Sequence, residues 1–180
     1  LSRLRTYGGP GQNRNIRVSL SEDATALRMQ GNGWRRLPVN YTITPDTMLS
    51  LEFRSSAEGE IHAIGFDQNN QISGSDRQNS FQLFGVQDWG IDDFAVEMAS
   101  KGWQKVEIPV GDYFTGSMRY LTFANDHDVA NPTAVSEFRN IQLFEAPMGM
   151  DSATNKANAQ SLEGGMTKAL ETLTLAPSNL

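Results

Sequence analysis

Alternation with a period of two is the feature that most narrows what this chain can fold into. It runs from "IRVSL" (Ile16 to Leu20) to "SEFRNIQLF" (Ser136 to Phe144). In "MLSLEFRS", Leu49, Leu51 and Phe53 alternate with Ser50, Glu52 and Arg54; "TALRMQ", "EIHAIGFD", "FQLFGV", "WQKVEIPV" and "RYLTFAN" repeat the pattern. Successive side chains of a strand point to opposite faces, so such segments are strands with one face on a core and one in water. Gly8-Gly9-Pro10-Gly11, Gly31-Asn32-Gly33, Thr44-Pro45-Asp46, Asn69-Asn70, Ser73-Gly74 and Gly111-Asp112 separate them, all turn formers. Eight or nine short strands without a helical pattern between them predict an all-β fold, an antiparallel β-sandwich of jelly-roll type.

The alternation stops at Glu145. The remaining "APMGMDSATNKANAQSLEGGMTKALETLTLAPSNL" has no aromatic residue, and Gly164-Gly165 interrupt the one helical stripe (Leu162, Met166, Leu170, Leu173). The expected organisation is an N-terminal extension over 1–14, a sandwich over 15–145, and a linker or weak helix over 146–180. The chain opens on Leu with no charged-then-apolar leader, which fits a processed secretory protein or a segment of a longer one.

Charge and composition exclude several functions. A net charge of −6 across 180 residues does not suit a nucleic-acid binder, which needs a basic face. No apolar run reaches the roughly 18 residues of a membrane span. The absence of cysteine rules out disulfides, thiolate metal sites and a thiol nucleophile.

Two groups of residues could carry chemistry. The first is Asn125-Asp126-His127-Asp128, which follows the strand Tyr120 to Phe123. Asp126 and Asp128 share parity, and side by side they repel unless a cation or N–H groups compensate. Hard oxygen donors of this kind suit structural calcium, with Asp126, Asp128 and Asn125 as ligands and Asp67 from a second strand end. His127 has the opposite parity and is expected at the surface. The plain alternative is a set of Asx turns. The second group is aromatic. Trp34, Trp89 and Trp103 each lie close to a glycine, and a sandwich tryptophan more often packs than binds. Trp89 differs, because "GVQDWGIDD" is polar and turn-like. Trp89 with Gln87, Tyr113 in "GDYFTG", and Arg35 are therefore the candidate ligand-binding residues. The paired carboxylates (Asp92-Asp93, Glu58 and Glu60) read as solvated loop residues, and no nucleophile motif accompanies them, so no enzyme is expected.

The stretches "GNGWRRLPVNYTITPDTMLSLEFRSSAEGEIHAIGFD", "FQLFGVQDWGIDDF", "GWQKVEIPVGDYFTGSMRYLTFANDHD" and "SEFRNIQLFE" together resemble a β-sandwich module of bacterial secreted multidomain proteins. The resemblance covers roughly Tyr7 to Glu145. It implies a non-catalytic extracellular module that attaches a partner domain or assembly to a polysaccharide. Gln68 stands where that family usually carries an acid, which weakens a calcium role for the Asp67 loop. The alternative reading is a structural or adhesive subunit whose tail contacts a neighbouring protein.

Overall fold

In a computed structural model, described over residues 1–21, 24–97 and 102–146, the chain forms two five-stranded sheets. The expectations for the tail, a weak helix and a neighbour contact among them, fall outside the described residues. Among the described residues there are ten strands: β1 (Arg5–Thr6), β2 (Arg17–Leu20), β3 (Leu27–Gln30), β4 (Gly33–Ile43), β5 (Thr47–Ala57), β6 (Ile61–Asp67), β7 (Ser80–Phe84), β8 (Gln104–Pro109), β9 (Gly116–Asp126) and β10 (Val135–Glu145). One sheet has the order β1-β4-β9-β6-β7 and the other β2-β3-β10-β5-β8. Every pairing of these strands is antiparallel. The sandwich expected from the alternation is thus the observed fold.

The core lies where the parity placed it. Leu49, Leu51 and Phe53 of β5, Ile64 and Phe66 of β6, Leu121 and Phe123 of β9 and Phe138 of β10 all face inward and are buried. Phe138 is the centre, with its ring centroid 5.3 Å from that of Phe53 in its own sheet and 5.2 Å from that of Phe123 across the interface. Each ring removed from water is worth about 1.5–3 kcal/mol, so three in contact anchor the two sheets.

Two elements depart from expectation. Residues 1–14 are not a mere extension, because Arg5 and Thr6 pair with Arg36 and Arg35, and Tyr7 is buried against the same sheet. β4 carries no clean alternation in its sequence, yet it makes an eleven-residue strand. Pro38 and a register shift between Pro38 and Tyr41, with Asn40 at φ 50°, disrupt the pattern. Beyond Arg36, β1 no longer pairs with β4, so a proline costs no ladder bond to it there.

Candidate functional site

The acidic corner divides into an internal and an external part. Asn125 is fully buried on the core side of β9. Its amide donates to the carbonyls of Gly31 (2.6 Å) and Ala134 (3.2 Å), and its Oδ1 accepts from Ser136 Oγ (2.7 Å). Ser136 in turn meets His62 Nδ1 at 2.7 Å, and His62 Nε2 accepts the Gly59 N–H at 2.8 Å. The Gly59 N–H fixes the tautomer: Nε2 is the acceptor and Nδ1–H donates to Ser136, whose hydroxyl then donates to Asn125. The relay joins β6, β9 and β10 with the turns before β4 and β6. His62 and Ser136 have no exposed surface, so this serine–histidine contact is structural. Asn125 cannot serve as a metal ligand, a correction to the sequence reading, because its polar atoms are consumed inside.

Burial holds the His62 ring pKa down at about 4, with His127 adding to the effect. A histidine whose folded pKa lies below its unfolded value near 6.5 favours the fold at higher pH. Its contribution declines as pH falls from about 6.5 to about 4, and is lost below that. Burial pushes the carboxyl pKa values of Asp67 and Asp126 upward, which acts in the opposite sense just above the ordinary carboxylate range. The ring itself separates the two effects: the NMR resonances of His62 should stay near their neutral positions from pH 8 to about pH 5 and titrate with a midpoint of about 4. A midpoint near 6.5 would show an open, solvated ring.

On the outer side, Glu60, Asp126 and Asp128 converge, with one oxygen of each within 4.8 Å of the others. Asp126 Oδ1 accepts the Trp34 indole N–H (2.9 Å), Asp128 Oδ1 accepts from Asn32 Nδ2 (2.7 Å), and Glu60 Oε2 accepts the Asp128 N–H (2.6 Å). Burial first, and then Asp128 and Glu60, raise the Asp126 pKa against the Trp34 hydrogen bond. The shared parity of Asp126 and Asp128 holds. His127 is only half exposed, its Nδ1 accepting the N–H groups of Thr133 and Ala134 to close the loop. Asp67 is not part of this corner. β6 and β9 are antiparallel, so Ile61 pairs with Asp126 while Asp67 pairs with Tyr120 at the far end. There Asp67 is buried, one oxygen on the Gln68 N–H (2.6 Å) and the other without a partner.

The four residues expected to bind a ligand do not form one surface. Trp89 is half buried, its ring edge-on to Trp34 at 5.6 Å, with the Arg77 guanidinium 5.4 Å from its centroid. Its indole N–H is buried and unpartnered. Gln87 is exposed on the same loop, which Gln82 fastens by donating to the Gln87 carbonyl (2.6 Å) and accepting the Trp89 N–H (2.8 Å). Tyr113, 38% exposed, stands in a separate cluster with Phe81 and Phe94 and donates to Asp93 (2.7 Å). Arg35 is committed to the N-terminal segment, donating to Asn13 Oδ1 (2.5 Å) and to the Trp34 carbonyl (2.8 Å).

A better-formed polar surface is the outer face of the β2-β3-β10-β5-β8 sheet, which the sequence reading passed over. Register places Glu137 opposite Arg54, Arg139 opposite Glu52, and Glu52 opposite Lys105. Arg54 Nε donates to Glu137 at 2.6 Å, and Arg139 donates through two nitrogens to Glu52 at 2.9 and 3.3 Å. The Arg139 guanidinium holds the Glu52 carboxyl below its ordinary pKa, against a smaller desolvation effect. Trp103, just ahead of β8, lies on these arginines. The guanidinium carbon of Arg139 is 4.1 Å from its ring centroid and that of Arg54 is 4.5 Å. Beside it runs a groove of about 330 Å³, lined by Ser50, Glu52, Lys105, Glu107, Asn140, Gln142 and Phe144. A flat ring, fixed donors and fixed acceptors on a rigid sheet are what recognition of a hydroxyl-rich ring requires. The missing signal was spatial: Trp103 meets Arg139 only because β5 and β8 bring them together.

No family model matches the chain, and no curated protein matches it. Among solved structures, the chain is similar to the family 30 carbohydrate-binding module of a cellulosomal cellulase from Clostridium thermocellum. The identity is 16%, over 79% of this chain and 91% of that one, with a TM-score of 0.41. A family 29 carbohydrate-binding module variant gives 12%, 77%, 79% and 0.38 in the same order. The glycoside hydrolase domain of Endo-D from Streptococcus pneumoniae R6 gives 10%, 72%, 20% and 0.44, so the chain spans a fifth of that structure. At such distances the site has to be read from this chain's own residues.

Proposed function

We propose that the chain is a non-catalytic, extracellular carbohydrate-binding module, and that a polysaccharide lies along the outer face of the β2-β3-β10-β5-β8 sheet. The observation that carries this reading is Trp103 resting on Arg54 and Arg139 beside the polar groove. From Trp103 to Pro109 the face extends about 20 Å at 3.3 Å per residue, room for several pyranose rings. Sugar rings stack on the indole, while Asn140, Gln142 and the carboxylates of Glu52 and Glu107 bond hydroxyls. The His62–Ser136 pair is fully buried, so it cannot meet a substrate, and Asp126 is nearly buried and held by Trp34. Electrophoresis through gels containing soluble polysaccharides tests the proposal: at least one should retard the wild-type chain and not the Trp103→Ala variant. Retardation by none would contradict it, and glycan hydrolysis would overturn the non-catalytic part.

Calcium belongs to this proposal as a stabiliser of the corner. Glu60, Asp126 and Asp128 would supply carboxylate oxygens, and hard oxygen donors are the right type for the ion. At a hundredfold excess over Kd, binding adds about 2.7 kcal/mol. Wild-type protein should melt several degrees higher in calcium than in chelator, and Asp128→Ala should lose the difference. An unmoved midpoint leaves hydrogen-bonded turns as the whole account of the corner.

A further inference from the structure

The sandwich is open on one side because two strands are short. β3 accompanies β10 only from Val135 to Phe138, and β1 accompanies β4 only at Arg35 and Arg36. Beyond those points each sheet lacks a neighbouring strand, and the sheets part to leave a cavity of about 310 Å³. Leu27, Leu37, Leu121, Phe123, Phe138 and Ile141 line it from both sheets. Leu1 and Leu4 stand at its rim on a turn strapped down by the Arg3 guanidinium on the Pro38 carbonyl (3.1 Å). The looseness is local, since Phe138 itself packs closely on Phe53 and Phe123.

We infer that this cavity is a second binding site, for a small apolar molecule of one or two rings or a short alkyl chain. Size and chemistry both point there. An apolar cavity of about 150 Å³ takes up benzene, and this one, open at its rim, has roughly twice that room. Four polar residues, Thr25, Arg139, Asn140 and Gln142, share its wall with the apolar ones, and two of them turn their polar atoms elsewhere. Arg139 is engaged by Glu52 and Trp103, and the Asn140 amide donates to Glu52. A sugar or a charged ligand would lose its hydration there without replacement hydrogen bonds, which disfavours it strongly. The site differs from the polar groove in its apolar lining, although Asn140 and Gln142 of β10 border both, and filling it at Leu37 or Leu121 tests it separately from glycan binding.

Methyl NMR of the full chain, titrated with naphthalene, tests the inference. The methyl resonances of Leu27, Leu37 and Leu121 should shift saturably, and Leu37→Phe, which fills the cavity, should weaken the affinity at least tenfold. Leu121→Phe serves as a second filling variant should the first not fold, and xenon titration of the wild type reads the same cavity without substitution. Three results would overturn it: no saturable shift with either probe, shifts that survive in a folded filled variant, or contacts in the ligand-free protein from these methyls to Leu173 or Leu175. The last would mean that the chain's own C-terminal segment occupies the cavity.

Discussion

Replacing Asn125 with alanine should lower the melting temperature by roughly 10 °C or more, the largest stability effect expected of a single polar substitution in this domain. The side chain is the end of a relay that reaches through Ser136 and His62 to Gly59. Removing it strands the Ser136 hydroxyl and deprives the carbonyls of Gly31 and Ala134 of a donor. All of this happens in a site without solvent access. An unsatisfied buried group costs about 1–3 kcal/mol, and more than one is created at once. Asn70→Ala, at an exposed position, should stay within about 0.5 kcal/mol of wild type. Thermal or chemical denaturation that found the two variants equally stable would show that water enters the relay and satisfies it.

Replacing Trp103 with alanine should weaken polysaccharide binding by at least thirtyfold, equivalent to about 2 kcal/mol, the threshold at which an interface aromatic dominates affinity. The indole offers the broad apolar face that a sugar ring stacks on, and the arginines beside it are already fixed by Glu137 and Glu52. The stability cost should be small. Trp103 lies outside the main core, and its two guanidinium contacts are worth about 0.5–1 kcal/mol each. Trp103→Phe should recover part of the affinity, because it keeps a flat face. Isothermal titration with each variant checks the order; equal affinity for wild type and Trp103→Ala would remove the face from the binding account.

How much of this was legible depends on the length scale of each feature. Parity along one strand is local, so the inward set of β5 and the outward set of Glu52 and Arg54 could be read directly. The same parity brought Asp126 and Asp128 to one side. Strand partnership is not local. Asp67 and Asp126 were expected to meet because both close apolar strands, but antiparallel neighbours bring the end of one to the start of the other, and the residue that arrives is Glu60. Trp89 stood out because its flanks are polar, yet those flanks are pinned by Gln82, which turns its ring onto Trp34. Trp103 looked like an ordinary strand-edge tryptophan. Its partners Arg54 and Arg139 come from two other strands, and the alternation of each strand is silent about which strand lies beside it.

The most direct test is to screen the isotope-labelled chain against a glycan array and then follow its amide and indole resonances by NMR as the best-bound oligosaccharide is added. The account predicts saturable shifts at the Trp103 indole and the side-chain amides of Asn140 and Gln142, with Trp89 and Gln87 unmoved. A footprint centred on Trp89, Gln87 or Tyr113, or no glycan bound at all, would contradict it.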